Sequence, residues 1–205
     1  MIESKSFFLS AGLVIVLAIN SITGFSQNST QLTAYEKEGI LLMREEEKLA
    51  HDVYSFFVEK YNIPIFRNIK QSEVMHQKSM IWLMEKYDIK DPSFEEQGKF
   101  NNKELQKLYD RLTVQGNTLI EALKIGAYIE ELDIFDLKKL MKKTDNEDIL
   151  RVYSCLLWGS ENHFRAFTRN LSNRGVEYEP EFLSKEEMET MLNKYNQRNR
   201  NWNRE

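Results

Sequence analysis

Apolar residues recur along most of this chain at alternating spacings of three and four, the period of helices that bury one face. Thr33 followed by Glu36 has the capping-box pattern and opens a first long helix that reads to about Tyr61. The short loop 62–66, broken by Pro64, turns the chain back into a second helix from about Asn68 to Tyr87. Residues 88–117 then form a long connection that contains Pro92, Gly98 and a shorter amphipathic helix from Lys103 to about Gln115. Thr118 with Glu121 opens a third long helix reaching about Lys143, and Thr144 with Glu147 opens a fourth that ends near Gly175. Ser184 with Glu187 starts one more short helix, after which the Asn- and Arg-rich tail 193–205 is expected to fray.

Two antiparallel helix pairs joined by one long crossover define an all-α, ferritin-like four-helix bundle, because simple up-down bundles use three short loops. Composition agrees. Prolines number three and glycines eight, and 41% apolar residues in 205 suffice for one substantial core. A formal charge of −4 with interspersed signs gives no basic face, so a nucleic-acid partner is not expected.

The first residues read as an address rather than as structure. Lys5 precedes an apolar run from Phe7 to Ile19, and Gly24 and Ser26 supply small residues for cleavage after Ser26. The run falls short of the roughly 20 residues that span a bilayer, so no stable membrane span is expected after signal cleavage. The expected organisation is a signal peptide at 1–26, a bundle at 27–183 and a short helix with a polar tail at 184–205. Such a protein is exported, to the periplasm or outside the cell. Cys155 stands alone after the apolar run, which excludes a lipid-anchored mature N-terminus and an internal disulfide, and reads as a small core residue.

The chemistry lies in what interrupts the apolar stripes. The first stripe is Ile40, Met43, Glu47, Ala50, Tyr54, Phe57, and the second is Ile69, Glu73, His76, Met80, Leu83, Tyr87. The third runs Leu119, Leu123, Gly126, Glu130, Asp133, Leu137, Leu140, and the fourth runs Ile149, Tyr153, Leu156, Ser160, His163, Phe167. Every long helix thus carries a polar break at one level. Facing carboxylates in a core repel one another and need compensating cations, for which metal ions are the compact solution. In Glu73-x-x-His76 the spacing sets both side chains on one face within reach of one ion, and imidazole with carboxylate suits iron, manganese or zinc. The candidate ligands are Glu47, Glu73, His76, Glu130 and His163. Asp133 is a further candidate ligand, and the Tyr54 hydroxyl is positioned to bond a ligating carboxylate. Glu131 competes with Glu130, since a modest helix rotation exchanges them; the stripe favours Glu130.

Other polar residues read as ordinary. Glu45, Glu46 and Lys48 form a charged run expected on a solvated face. His51 is expected to make an edge hydrogen bond, and Arg165 to pair with a carboxylate. Tyr35, Phe56, Phe57, Trp82 and Trp158 are expected to pack.

The run Glu47, Ala50, Tyr54 resembles the first-helix pattern of rubrerythrin-like proteins, and Glu73-x-x-His76 resembles the second-helix ligand motif of the ferritin-like superfamily. More closely, segments 45–54 (EEEKLAHDVY), 129–137 (IEELDIFDL) and 159–167 (GSENHFRAF) resemble one uncharacterised ferritin-like family of bacteria and archaea, domain of unknown function 2202. The resemblance covers about Leu32 to Leu183. It implies a ferritin-like fold with a carboxylate-bridged metal site, and no established reaction. One departure matters: the second Glu-x-x-His of a di-iron bundle belongs on the fourth helix, where Ser160 stands three residues before His163. With that carboxylate missing, the set holds two ions if Asp133 or water completes the second, and otherwise one.

Three functions fit this reading. One is oxygen- or peroxide-dependent redox chemistry at iron or manganese; the second is metal binding without turnover; the third is a structural or partner-binding domain whose polar layer fixes helix register. Self-association into a homo-oligomer is compatible with all three. Hydrolysis is disfavoured, because Ser160 near His163 lacks an identifiable oxyanion hole.

Overall fold

A computed structural model describes the backbone of residues 31–202 and the side chains of residues 31–193. The expected signal peptide and the far end of the tail lie outside the described residues. Among those residues there are six helices and no strand: α1 (Ala34–Tyr61), α2 (Pro64–Lys86), α3 (Lys103–Gln115), α4 (Leu119–Met141), α5 (Glu147–Ser172) and α6 (Lys185–Trp202). No helix among them is long and apolar enough to cross a membrane.

The capping boxes of Thr33 with Glu36 and Thr118 with Glu121 form as expected, each satisfying backbone donors at a helix start. Ser184 and Glu187 exchange the same bonds ahead of α6, whose backbone is helical as far as Trp202. Two starts differ from expectation. α2 begins at Pro64, not near Asn68, since proline at the first helical position loses only a donor that had no intrahelical partner. α5 is capped by Asn146, whose side chain accepts from the amides of Asp148 and Ile149, while Thr144 donates its hydroxyl to Glu36 on α1.

α1 and α2 turn on two residues and run antiparallel: Glu47 meets His76, and Tyr54 meets Phe66. α4 and α5 pair likewise across Glu130 and His163. α1 is also antiparallel to α4, with Gly39 against Leu140 and Tyr54 against Gly126, and α2 to α5, with Lys86 against Asp148 and Phe66 against Phe167. These four helices form a helical bundle in which α2 and α4 point the same way. The chain between them must therefore travel the bundle's length, and it does so along α1.

That journey corrects the reading of the charged run on α1. Arg44, Glu45, Lys48 and Asp52 are all buried, because the crossover lies on them, and Glu46 is buried as well, on the side of Asp136 of α4. Arg44 donates to Asp91 at 2.9 Å, Lys48 to the Glu96 carbonyl at 3.0 Å, and the Gly98 amide to Asp52 at 2.9 Å. Glu45 accepts from the amides of Asn101 and Asn102. Lys48 and Asp52 form an ion pair one turn apart, and Lys48 also sits over the Phe100 ring. His51 makes the expected edge contact, to Asp52 at 3.0 Å.

The apolar core comes in two parts. One gathers Tyr54, Phe57, Phe66, Phe164 and Phe167; the other gathers Ile40, Met43, Met80, Leu83, Leu137 and Leu156. Between them lies the polar layer. Cys155 and Trp158 depart from the expected packing and face solvent, as does Trp82, whose ring receives Lys86 and Arg151. Both tryptophans fall on the outer side of helices whose opposite face supplies the core.

Candidate metal centre

Four helices bring Glu47, Glu73, His76, Glu130 and His163 to one level. The three glutamates are at most 1% exposed, and the His76 and His163 side chains 8% and 12%. Glu73 stands at the centre. Its Oε2 lies 2.7 Å from His76 Nδ1, and its Oε1 lies 2.9 Å from His163 Nδ1. Glu47 Oε2 completes one side at 3.1 Å from His76 Nδ1, and Glu130 Oε2 completes the other at 3.4 Å from His163 Nδ1. The result is two triads, Glu47 with Glu73 and His76, and Glu73 with Glu130 and His163, each with its donor atoms mutually within 4.8 Å. The imidazoles stack at 5.5 Å between ring centres.

Of the contacts between acid and imidazole, only His76 Nδ1 with Glu47 Oε2, at 3.1 Å, has hydrogen-bond geometry. Glu47 Oε1, Glu73 Oε1 and His163 Nδ1 are buried and lack any hydrogen-bond partner, although His163 Nδ1 and Glu73 Oε1 are 2.9 Å apart. Close approach without directional bonding leaves these two oxygens and the imidazole nitrogen facing shared space. This donor set, carboxylate with imidazole in two triads that share an acid, fits divalent metal ions.

Charge tells the same story. Burial opposes charging His76, but Glu47 and then Glu73 outweigh it and push its pKa up to about 11; at His163 burial is outweighed by Glu130 and Glu73, which push it up to about 10. Burial also works against ionising Glu73, yet His163 and His76 pull it down to about 2. Glu47 has one imidazole beside it, and burial prevails, raising it to about 7. Glu130 is raised by burial despite His163, and Asp133 well above its usual range by burial, with Glu47 and Glu46 adding to the effect. The acids outnumber the imidazoles, so extra protons or cations must balance the layer.

The remaining candidates separate cleanly. Tyr54, fully buried, donates to Glu130 Oε1 at 2.6 Å, the role its spacing suggested. Burial, and after it the charge of Glu130, holds that phenol well above its usual range, so it keeps its proton. Asp133 is buried beside the layer but belongs to neither triad. Ser160 is buried, and its hydroxyl donates to the Leu156 carbonyl one turn back at 3.1 Å. Glu131 points elsewhere: it accepts from Tyr178 and from the amides of Glu181, Phe182 and Leu183, and so pins the segment before α6. Arg165 reaches Glu161 at 3.9 Å and bonds Asn162, at the edge of the site's helix.

Two residues escaped the sequence reading. Glu46 is 2% exposed, and its Oε2 is unpartnered. The run from Arg44 to Lys48 spans more than one turn, so some member had to face inward. Gly159 lies against His76; a glycine in mid-helix was the available signal.

An all-helical bundle whose core is divided by a layer of glutamates and histidines is the class of protein that fold and site define. Residues 36–195 match the family described as an uncharacterized protein domain, DUF2202, and the chain belongs to that family. It is 48% identical over 168 residues to the uncharacterized protein MJ0754 of Methanocaldococcus jannaschii, covering 81% of this chain and 91% of that protein. The crystal structure of the hypothetical protein MJ0754 from Methanococcus jannaschii is similar at a TM-score of 0.78 and 48% identity, over 79% of this chain and 94% of that one.

Proposed function

We propose that this is an exported, ferritin-like metal-binding protein that holds two iron or manganese ions, one in each triad, with Glu73 shared between them. The single observation that carries this reading is the pair of triads with unpartnered donor atoms converging at their centre. The helix directions and the lengthwise crossover support the ferritin-like assignment. Zinc suits the same donors, and a chain that takes its metal outside the cytoplasm meets zinc and copper as competitors. When bound, iron or manganese supplies redox chemistry with oxygen or peroxide. The protein's own residues supply the rest. Glu73 orients both imidazoles, Tyr54 holds Glu130 in place, and the two apolar half-cores keep water from the layer.

Ser160 supports a second reading, metal binding without turnover, since a hydroxyl tied to its own helix stands where a fourth-helix carboxylate belongs. Plasma mass spectrometry on protein reconstituted with iron or manganese tests the first claim. Two ions per chain are expected, and Glu73→Ala should lose both. No bound ion after reconstitution overturns the proposal. Peroxide consumption by the loaded protein then separates turnover from simple binding.

A further inference from the structure

The two triads are not held alike. Glu130 in one is braced by the Tyr54 hydroxyl at 2.6 Å. His76 in the other leans on a surface that has no side chain: a Cβ added at Gly159 would fall 2.4 Å from His76 Nε2 and 2.6 Å from its Cε1. Those separations are far inside van der Waals contact, so any side chain at position 159 must displace the ring. The ring has little freedom to yield, because Nδ1 on its other side lies 2.7 Å from Glu73 and 3.1 Å from Glu47. Glycine inside a helix is otherwise unfavourable, and α5 carries it at its middle, facing α2. Gly126 offers a comparison: a Cβ there would strike the Phe167 ring at 2.4 Å, a matter of packing in the aromatic half-core and not of any donor atom.

We propose that Gly159 is a positioning residue for the metal centre: its missing side chain seats His76 with Nδ1 turned to Glu47 and Glu73, and it governs the occupancy of that triad alone. The inference rests on the metal reading above. The Glu73, Glu130 and His163 triad, braced by Tyr54, does not depend on it.

Gly159→Ala is the test, read by ions bound per chain and by thermal midpoint with and without metal. The variant should bind one ion where the wild type binds two, and metal should raise its midpoint less than it raises that of the wild type. In a His76→Ala background, where the ring is gone, Gly159→Ala should raise the metal-free midpoint, because alanine is the better helix former. If the single variant folds too poorly to assay, a higher midpoint in the double variant than in His76→Ala still supports the proposal, and a lower one overturns it. Two tightly bound ions in Gly159→Ala also overturn it. A wild type that binds no ion sinks the metal reading itself, a separate result from the failure of Gly159 to matter.

Discussion

Glu130 and Glu131 stand side by side on α4 and are equally buried, yet their oxygens meet opposite surroundings. Glu131 accepts from three backbone amides and a tyrosine, so its charge is spent on holding the segment before α6. Glu130 turns into the layer, with Tyr54 on one oxygen and His163 at 3.4 Å from the other. α1 repeats the contrast: Glu45, Lys48 and Asp52 are matched by the crossover, whereas Glu47 keeps an oxygen without a partner. Burial alone therefore does not mark a functional acid. What marks it is whether the fold supplies enough donors to satisfy it, since a buried acid left open costs stability that only a ligand or proton restores.

The largest effect should come from the satisfied side. Glu131→Ala leaves three amides and the Tyr178 hydroxyl without their acceptor, and it should cost about 4 kcal/mol in denaturant unfolding. Folded Glu131→Ala should still bind two ions. Loss of metal in a folded Glu131→Ala protein would show that the two acids are not independent.

Next in size is the clamp under the crossover. Lys48→Ala strips Asp52 of its buried ion-pair partner and should cost about 3 kcal/mol. Burial opposes ionising Asp52, but His51, Lys48 and the Gly98 amide outweigh it and hold its pKa below the usual 3.8. A depressed acid lends stability above its unfolded pKa and loses it as pH falls through the folded value. Acid unfolding below about pH 4 should therefore begin at higher pH in Lys48→Ala than in the wild type.

The open cluster should behave with the opposite sign. Glu47 is raised from 4.5 to about 7, and His76 from 6.5 to about 11, so both bind protons more tightly when folded. Their contribution is complete below the unfolded values and is lost as pH rises through the folded ones. Metal-free protein, unfolded by denaturant at a series of pH values, should thus weaken between pH 5 and pH 9, while the clamp is indifferent there. Glu47→Gln should flatten the part of that slope near pH 5 to 7 and change metal-free stability at pH 5 by less than about 1 kcal/mol. The same substitution should remove one ion. A steep fall in metal-free stability with Glu47→Gln at pH 5 would place Glu47 among the structural acids.

Much of this was legible in the chain. The capping boxes at Thr33, Thr118 and Ser184 and the alternating apolar stripes place the helices, and the stripes' interruptions mark all five residues of the two triads. The fourth long helix shows the limit: Thr144 with Glu147 has the same pattern, but the neighbouring Asn146 caps its own second and third residues, and Thr144 is taken by Glu36. The charged run on α1 was misread for a different reason. Apart from Glu46, which faces inward, its burial depends on where residues 91–102 come to rest, a contact across some fifty positions that no local period encodes. Cys155 and Trp158 failed in the reverse direction, since residue type suggests burial while helix phase sets them outside.

The smallest expected effect falls on the residue that lies between the two classes. Ser160 is within the layer by position, one turn before His163, and is 1% exposed. Its hydroxyl nevertheless bonds the Leu156 carbonyl, a back-bond that serves its own helix and leaves the triads alone. Ser160→Ala removes that donor from a carbonyl already inside the helix ladder and adds a better helix former, so stability should change by less than about 0.5 kcal/mol. Two ions should remain, measured on the reconstituted variant. If the count falls to one, the hydroxyl leaves Leu156 to reach a metal, and Ser160 joins Glu47 among the groups whose partner is the ligand and not the fold.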